Sequence, residues 1–194
     1  LKGRSLFADR VGETVAAASV TLVDDPTDTR AFGAGPSDAE GLASRRNTLI
    51  EDGVLLGFLY DSYSSRRAGV ASTGSAVRGG FKGTPGVGCR ALSVTPGSLA
   101  TDDVFASVGT GLFVQNVSGL HSGVNPVSGD FSVGAEGLMI RDGQLAEPVR
   151  EFTIASTIQR MLQEIVVIGD TLEFRMAAAA GVILAIESMS ISGS

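Results

Sequence analysis

The chain has 194 residues, enough for one domain or one large piece of a longer protein, and at 43% hydrophobic and 19% charged it can build a sizeable core. Fifteen Lys and Arg against 21 Asp and Glu give a net charge of −6. That balance argues against a nucleic-acid backbone as a direct ligand. One cysteine, Cys89, rules out an internal disulfide, and no run of about 18 apolar residues is present to suggest a membrane span. With no signal peptide at its start, the chain reads as a soluble, cytoplasmic protein. Its 26 glycines point to many turns rather than to a helical bundle.

In chain order, Val11–Val15 is a candidate short strand, and Ser19–Asp24 is the first clear one, stopped by Asp25-Pro26. Residues 26–46 form a long polar excursion. The segments Ile50-Glu-Asp-Gly-Val-Leu55 and Ile140-Arg-Asp-Gly-Gln-Leu145 share one pattern, and each predicts a β-hairpin turning on Asp-Gly. Asp61–Ala68 predicts a short helix, with Asp61 or Ser62 as N-cap and Gly69 as stop. Residues 69–88 form a glycine-rich loop that is either functional or mobile. Strands are expected at Ala91–Thr95 and Gly111–Val117, with a weaker helix at Asp102–Val108 between them.

Ser156–Ile168 predicts the best helix, with Ser156 and Gln159 at capping-box spacing and Ile158, Met161, Leu162 and Ile165 on one face. Burying four such side chains is worth roughly 6–12 kcal/mol, so this face should pack on a sheet. Strands at Thr171–Arg175 and Val182–Ser192 complete an α+β chain: a mainly antiparallel β-sheet with hairpins and a few packing helices.

The residues offer no complete active site. One histidine, His121, and one cysteine about thirty residues apart cannot supply the three or four ligands of a zinc site. Asp24 and Asp25 would diverge on a strand, so a strand end explains that pair, and a helix cap explains Asp102-Asp103. Ser122 beside His121 is not a dyad. Cys89 could be activated by Arg90, but a buried small hydrophobe fits it better. Gly86-Val-Gly88 imitates half a dinucleotide fingerprint but precedes a strand, not a helix.

Several motifs, taken together and in order, resemble the TldD/PmbA family. They include Lys2-Gly-Arg-Ser-Leu-Phe7, Val20-Thr-Leu-Val-Asp-Asp-Pro26, Asp38-Ala-Glu-Gly41 and Leu49-Ile-Glu-Asp-Gly-Val-Leu-Leu-Gly-Phe-Leu59. Ser72-Thr-Gly74, Gly123-Val-Asn-Pro-Val-Ser-Gly-Asp-Phe-Ser132, Ile140-Arg-Asp-Gly143 and Ile168-Gly-Asp170 continue the match. The resemblance implies a cytoplasmic metallopeptidase or modulator of DNA gyrase, in which TldD-type and PmbA-type (TldE) subunits pair to cleave peptides and unfolded proteins.

The TldD type carries a helical His-Glu-x-x-x-His motif, which would fall upstream of Leu1. It also carries a ligand cysteine, which would fall between Asp170 and Val182; no cysteine stands there. The chain therefore resembles the C-terminal domain of a PmbA/TldE-type subunit, spanning residues 1–194 with an N-terminal domain expected elsewhere. The resemblance implies no catalytic, metal or cofactor-binding residue in this chain, with zinc held by a TldD-type partner. The leading expectation is a non-catalytic, substrate-binding and structural domain, partnered by a TldD-type subunit or by its own copies, with peptides or unfolded proteins as substrates. Thr73, Gly74, Arg78 and His121 are the candidate groove-lining residues. The alternatives are a metallopeptidase whose zinc motif precedes Leu1 and a self-associating structural module.

Overall fold

Both Asp-Gly pairs turn hairpins. In the computed structural model, which describes residues 5–193, Asp52 and Gly53 take φ of 48° and 81°, and Asp142 and Gly143 take 51° and 76°. These are the left-handed values that a type I′ turn needs. The Lys2-Gly3-Arg4 motif lies outside the described residues. The first hairpin joins β2 (Asn47–Glu51) to β3 (Val54–Leu55), and β1 (Leu22–Asp24) and β6 (Leu92–Val94) extend it into an antiparallel sheet ordered β3-β2-β1-β6.

The second hairpin joins the two longest strands, β8 (Asp130–Arg141) and β9 (Gln144–Thr157). With β7 (Gly111–Ser118) and β12 (Ser190–Gly193) they form a second sheet, ordered β12-β9-β8-β7. Pro148 is tolerated in β9 because β12 pairs only with Phe152–Ala155. Two smaller antiparallel pairs remain: β4 (Ala76–Val77) with β5 (Gly86–Val87), and β10 (Ile165–Glu173) with β11 (Gly181–Ile186). The expected α+β class, antiparallel with few helices, is what the chain adopts.

Short helices connect these strands. α1 (Ser62–Ala68) is capped by Asp61, whose carboxylate accepts the Ser64 N–H at 2.6 Å, and it stops at Gly69 with φ 70°. α2 (Thr101–Val108) starts from Ala100 with no side-chain cap, so Asp102 and Asp103 are first-turn residues facing the helix dipole and not the cap expected of them. α3 (Leu120–Gly123) and α4 (Ile158–Gln163) are single turns or little more.

The expected helix over Ser156–Ile168 is mostly strand. Ser156 and Thr157 end β9, Thr157 caps α4 by accepting the Arg160 N–H at 3.2 Å, and the β-branched run Ile165-Val-Val-Ile168 opens β10. A register shift between Ile165 and Val167 brings Ile165 and Ile168 to the same buried side. That bulge imitates the three-residue spacing of a helix.

Other boundaries move too. Val11–Val15 makes only an isolated bridge from Thr14 to Val54, and the strand expected from Ser19 begins at Leu22. The strand expected at Thr171 starts at Ile165, and the run Val182–Ser192 divides at Glu187 to serve two sheets as β11 and β12. The 69–88 loop contains its own small hairpin.

Val15, Val20, Ile50, Leu55, Ile165 and Ile168 form one core, joined by Leu162 of α4. Val133, Ala135, Phe152 and Ile154 form a second on the β8–β9 pair. Gly137 lets β7 and β8 approach, since a Cβ there would stand 1.9 Å from the Phe113 carbonyl oxygen. Gly137→Ala should lower the unfolding free energy by about 1–3 kcal/mol in chemical denaturation, whereas Gly79→Ala, which meets nothing within 4 Å, should change it by less than about 0.5 kcal/mol. Asp38 is buried and accepts N–H groups from Glu40, Leu42 and Ala76 at 2.9, 2.9 and 3.0 Å. Asp38→Ala should cost about 2–3 kcal/mol and speed hydrogen exchange at the Ala76 amide. The Ser64 hydroxyl, and then its amide, hold the Asp61 carboxyl below the usual carboxylate range against the opposing effect of burial. A lowered folded value stabilises the α1 cap above the unfolded value, and this is lost as pH falls through the folded one. An NMR titration of the Ser64 amide should therefore show its transition below the ordinary aspartate range.

Candidate functional site

Thr73 and Gly74 sit where the loop leaving α1 returns to the β2 end. The Thr73 Oγ1 accepts the Tyr60 N–H at 2.7 Å and lies 2.8 Å from the Ser75 Oγ, while the Thr73 N–H donates to the Tyr60 carbonyl at 3.1 Å. Gly74 has φ 67°, and a Cβ there would come within 2.7 Å of the Ala43 carbonyl oxygen. Asn47 donates through Nδ2 to the Thr73 carbonyl at 3.2 Å. Arg78 follows on β4's exposed end and donates to the Ala39 carbonyl at 3.2 Å. These three residues occupy one lobe, fastened to the 38–43 segment.

His121 is elsewhere. It lies exposed on α3, in the connection from β7 to β8. The hydrogen bonds of that turn are made by the Ser122 and Gly123 N–H groups to the Gly119 carbonyl at 3.0 and 2.8 Å. The turn fits closely, since a Cβ on Gly123 would meet the Ser132 carbonyl oxygen at 1.9 Å.

The donor set does not fit a catalytic zinc. No group of three or more His, Cys, Asp or Glu converges among the described residues. Cys89 is half-buried, and burial, followed by the negative charge of Asp24, pushes its thiol up, away from thiolate chemistry. Arg90 does not activate it: its guanidinium donates to the Ser44 hydroxyl at 2.8 Å. Asp24 is fully buried and accepts the Arg90 and Ala91 N–H groups at 2.8 and 2.7 Å, while Asp25 accepts the Thr27 N–H at 3.1 Å. The adjacent pair therefore diverges.

A polar constellation on the second sheet escaped the sequence reading. Gln115 is extra in β7, between Val114 paired with Gly137 and Asn116 paired with Glu136. Arg150 and Glu151 together face Glu136 from β9, between Val149 and Phe152. Two bulges thus flank Glu136, one on each side. Glu151 takes a φ of 61°, uncommon for a residue other than glycine. The Asn116 side-chain amide donates to Glu136 at 2.9 Å. Asn116, Glu136 and Arg150 line two adjoining shallow depressions on this sheet. β7 is the sheet's outer strand, and its half from Gln115 to Ser118 is exposed. The signal for this region was the pair Gln115-Asn116, which interrupts the strand's alternation.

The family described as the PmbA/TldA metallopeptidase C-terminal domain matches residues 1–193. The chain is 32% identical over 189 residues to the metalloprotease PmbA of Escherichia coli, covering 97% of this chain and 39% of that protein. It is 31% identical over 173 residues to a metalloprotease TldD homologue of Buchnera aphidicola, covering 89% of this chain and 35% of that one. The chain thus spans well under half the length of these curated relatives. Among solved structures, TldE of Thermococcus kodakarensis superposes with a TM-score of 0.90 at 29% identity over 99% of this chain and 44% of its own. A candidate modulator of a DNA gyrase from Thermotoga maritima superposes with 0.91 at 26% identity over 98% and 43%. Sequence and architecture agree over nearly the whole length, and the chain belongs to the PmbA/TldD metallopeptidase family, whose C-terminal domain it carries.

Proposed function

We propose that this domain is a non-catalytic, peptide-holding and structural part of a TldD/TldE-type peptidase assembly, with the zinc held by a TldD-type partner. The observation that carries the reading is the free edge of β7. An eight-residue outer strand with an exposed half presents main-chain N–H and C=O groups to an extended peptide. Recognition through the backbone suits a peptidase that accepts unfolded chains of varied sequence, because it asks little of their side chains. The Asn116–Glu136 bond and the bulges beside it shape that end of the sheet. His121 and the α3 turn close the same connection.

The likeness to TldE and the resemblance to the PmbA type support a paired assembly. A cytoplasmic setting goes with a chain of one cysteine in which no described helix is long and apolar enough to cross a membrane.

Fluorescence anisotropy with unstructured peptides tests the edge. A side-chain-scrambled peptide should bind as the parent does, and a peptide N-methylated at alternate residues should lose at least about tenfold in affinity. Equal binding of the N-methylated peptide would remove the edge as the site. The chain mixed with zinc alone should leave the peptide uncut and should co-elute with a TldD-type subunit. Cleavage by the chain itself would overturn the non-catalytic role.

A further inference from the structure

The cations of this acidic chain are segregated. Lys2 and Arg4 aside, 13 of the 15 Lys and Arg residues are described. Five are ion-paired: Arg10, Arg30, Arg141, Arg160 and Arg175. Eight are not, among the described residues, and seven of those eight fall between positions 45 and 90, Arg150 being the exception. That segment holds seven cations against three carboxylates, whereas residues 91–194 hold four against eleven.

The segment folds as one lobe. Arg45 lies beside Gly74, Arg78 reaches the Ala39 carbonyl, and Arg90 reaches Ser44. Two of the lobe's carboxylates are turned inward, while Glu40, Glu51 and Asp52 stay exposed. Asp38 and Asp61 are buried on main-chain N–H groups, and Glu40 accepts the Ser62 N–H at 2.9 Å. Glu51 and Asp52 stand at the β2–β3 turn, at the far end of the hairpin from the Asn47–Thr73 contact. Arg45, Arg46, Arg66, Arg67, Arg78 and Lys82 are left exposed. Two exposed aromatic rings stand among them: Tyr63, with the Arg67 guanidinium 5.8 Å from its centroid, and Phe81, 85% exposed, with the Lys82 ammonium at 5.4 Å.

Unpaired guanidinium groups beside exposed rings recognise carboxylates on a chain that also carries apolar side chains. We propose that this basic lobe is a docking surface for acidic polypeptide segments, so that the domain favours unfolded chains rich in Asp and Glu. The proposal rests on the reading of this domain as a peptide-binding one. A polypeptide suits the lobe better than a nucleic acid. The chain's net charge of −6 and the strongly acidic second half repel a continuous polyphosphate, while a short acidic segment meets only the lobe.

The test measures anisotropy of the full chain with two unstructured labelled peptides of equal length, one Glu-rich and one built on Ser and Gly. The acidic peptide should bind at least about tenfold more tightly at low ionic strength and lose most of that advantage in high salt. The double variants Arg66→Gln/Arg67→Gln and Arg78→Gln/Lys82→Gln should each weaken it several-fold while circular dichroism shows the fold retained, and Arg175→Gln should not weaken it. Equal affinity for the two peptides overturns the acidic preference and leaves peptide binding standing. Binding of neither overturns both readings. Full retention of acidic-peptide binding in both double variants, or tighter binding of a single-stranded oligodeoxynucleotide of equal length, also overturns the proposal.

Discussion

Asp24, Asp38 and Asp61 are buried, and each accepts hydrogen bonds from main-chain N–H groups: Arg90 and Ala91, then Glu40, Leu42 and Ala76, then Ser64. A buried carboxylate costs least when its oxygens are so engaged; in Asp24 one oxygen takes both N–H groups and the other, Oδ2, is buried without a partner among the described residues. The first 90 residues have little regular structure to supply such partners, with strands of two to five residues and one seven-residue helix. The carboxylates therefore do for these loops what ladder hydrogen bonds do for the second sheet. Asp24 fastens β1 to the start of β6, Asp38 fastens the polar excursion to β4, and Asp61 starts α1. These three buried acids are withdrawn from the surface, and residues 45–90 hold seven cations against three carboxylates.

The second sheet is built on the opposite principle. β8 and β9 are twelve and fourteen residues long and are held by their ladder. Its irregularities are the two bulges that flank Glu136, a further register shift between Leu138 and Ile140 nearer the hairpin turn, and the exposed half of β7. A regular sheet with a local disturbance holds its polar groups at defined positions, as a binding surface requires. On the reading proposed above, the two halves would divide the labour of recognition, one by main-chain edge and one by charge.

The features visible in the amino-acid sequence were those with local causes. Asp52-Gly53 and Asp142-Gly143 specify their turns through backbone conformation alone, and Asp61 with Gly69 bounds α1 through its own caps. The run Ile165–Ile168 was misread because a bulge, which depends on pairing with β11, restored the spacing of a helix. The polar excursion looked structureless because the groups that order it, such as Ala76 for Asp38, come from 38 residues away. The constellation at Glu136 could not be assembled from sequence because three strands contribute to it. The family motifs pointed correctly to the architecture, since they coincide with the turns and buried acids on which it depends.

The chain's last described stretch crosses from one sheet to another. Residues 181–186 ladder with β10, and after the Glu187–Met189 break residues 190–193 ladder with β9. Met189 at the crossing packs into the second core, and the Glu187 N–H donates to the Glu164 carbonyl beyond α4. A tether of three residues, anchored on both sides, leaves the two sheets little freedom to separate at this point. Strain applied at the β12 end is thereby passed through the crossing to the β10–β11 pair, and the two sheets should respond to a pulling force as one elastic body.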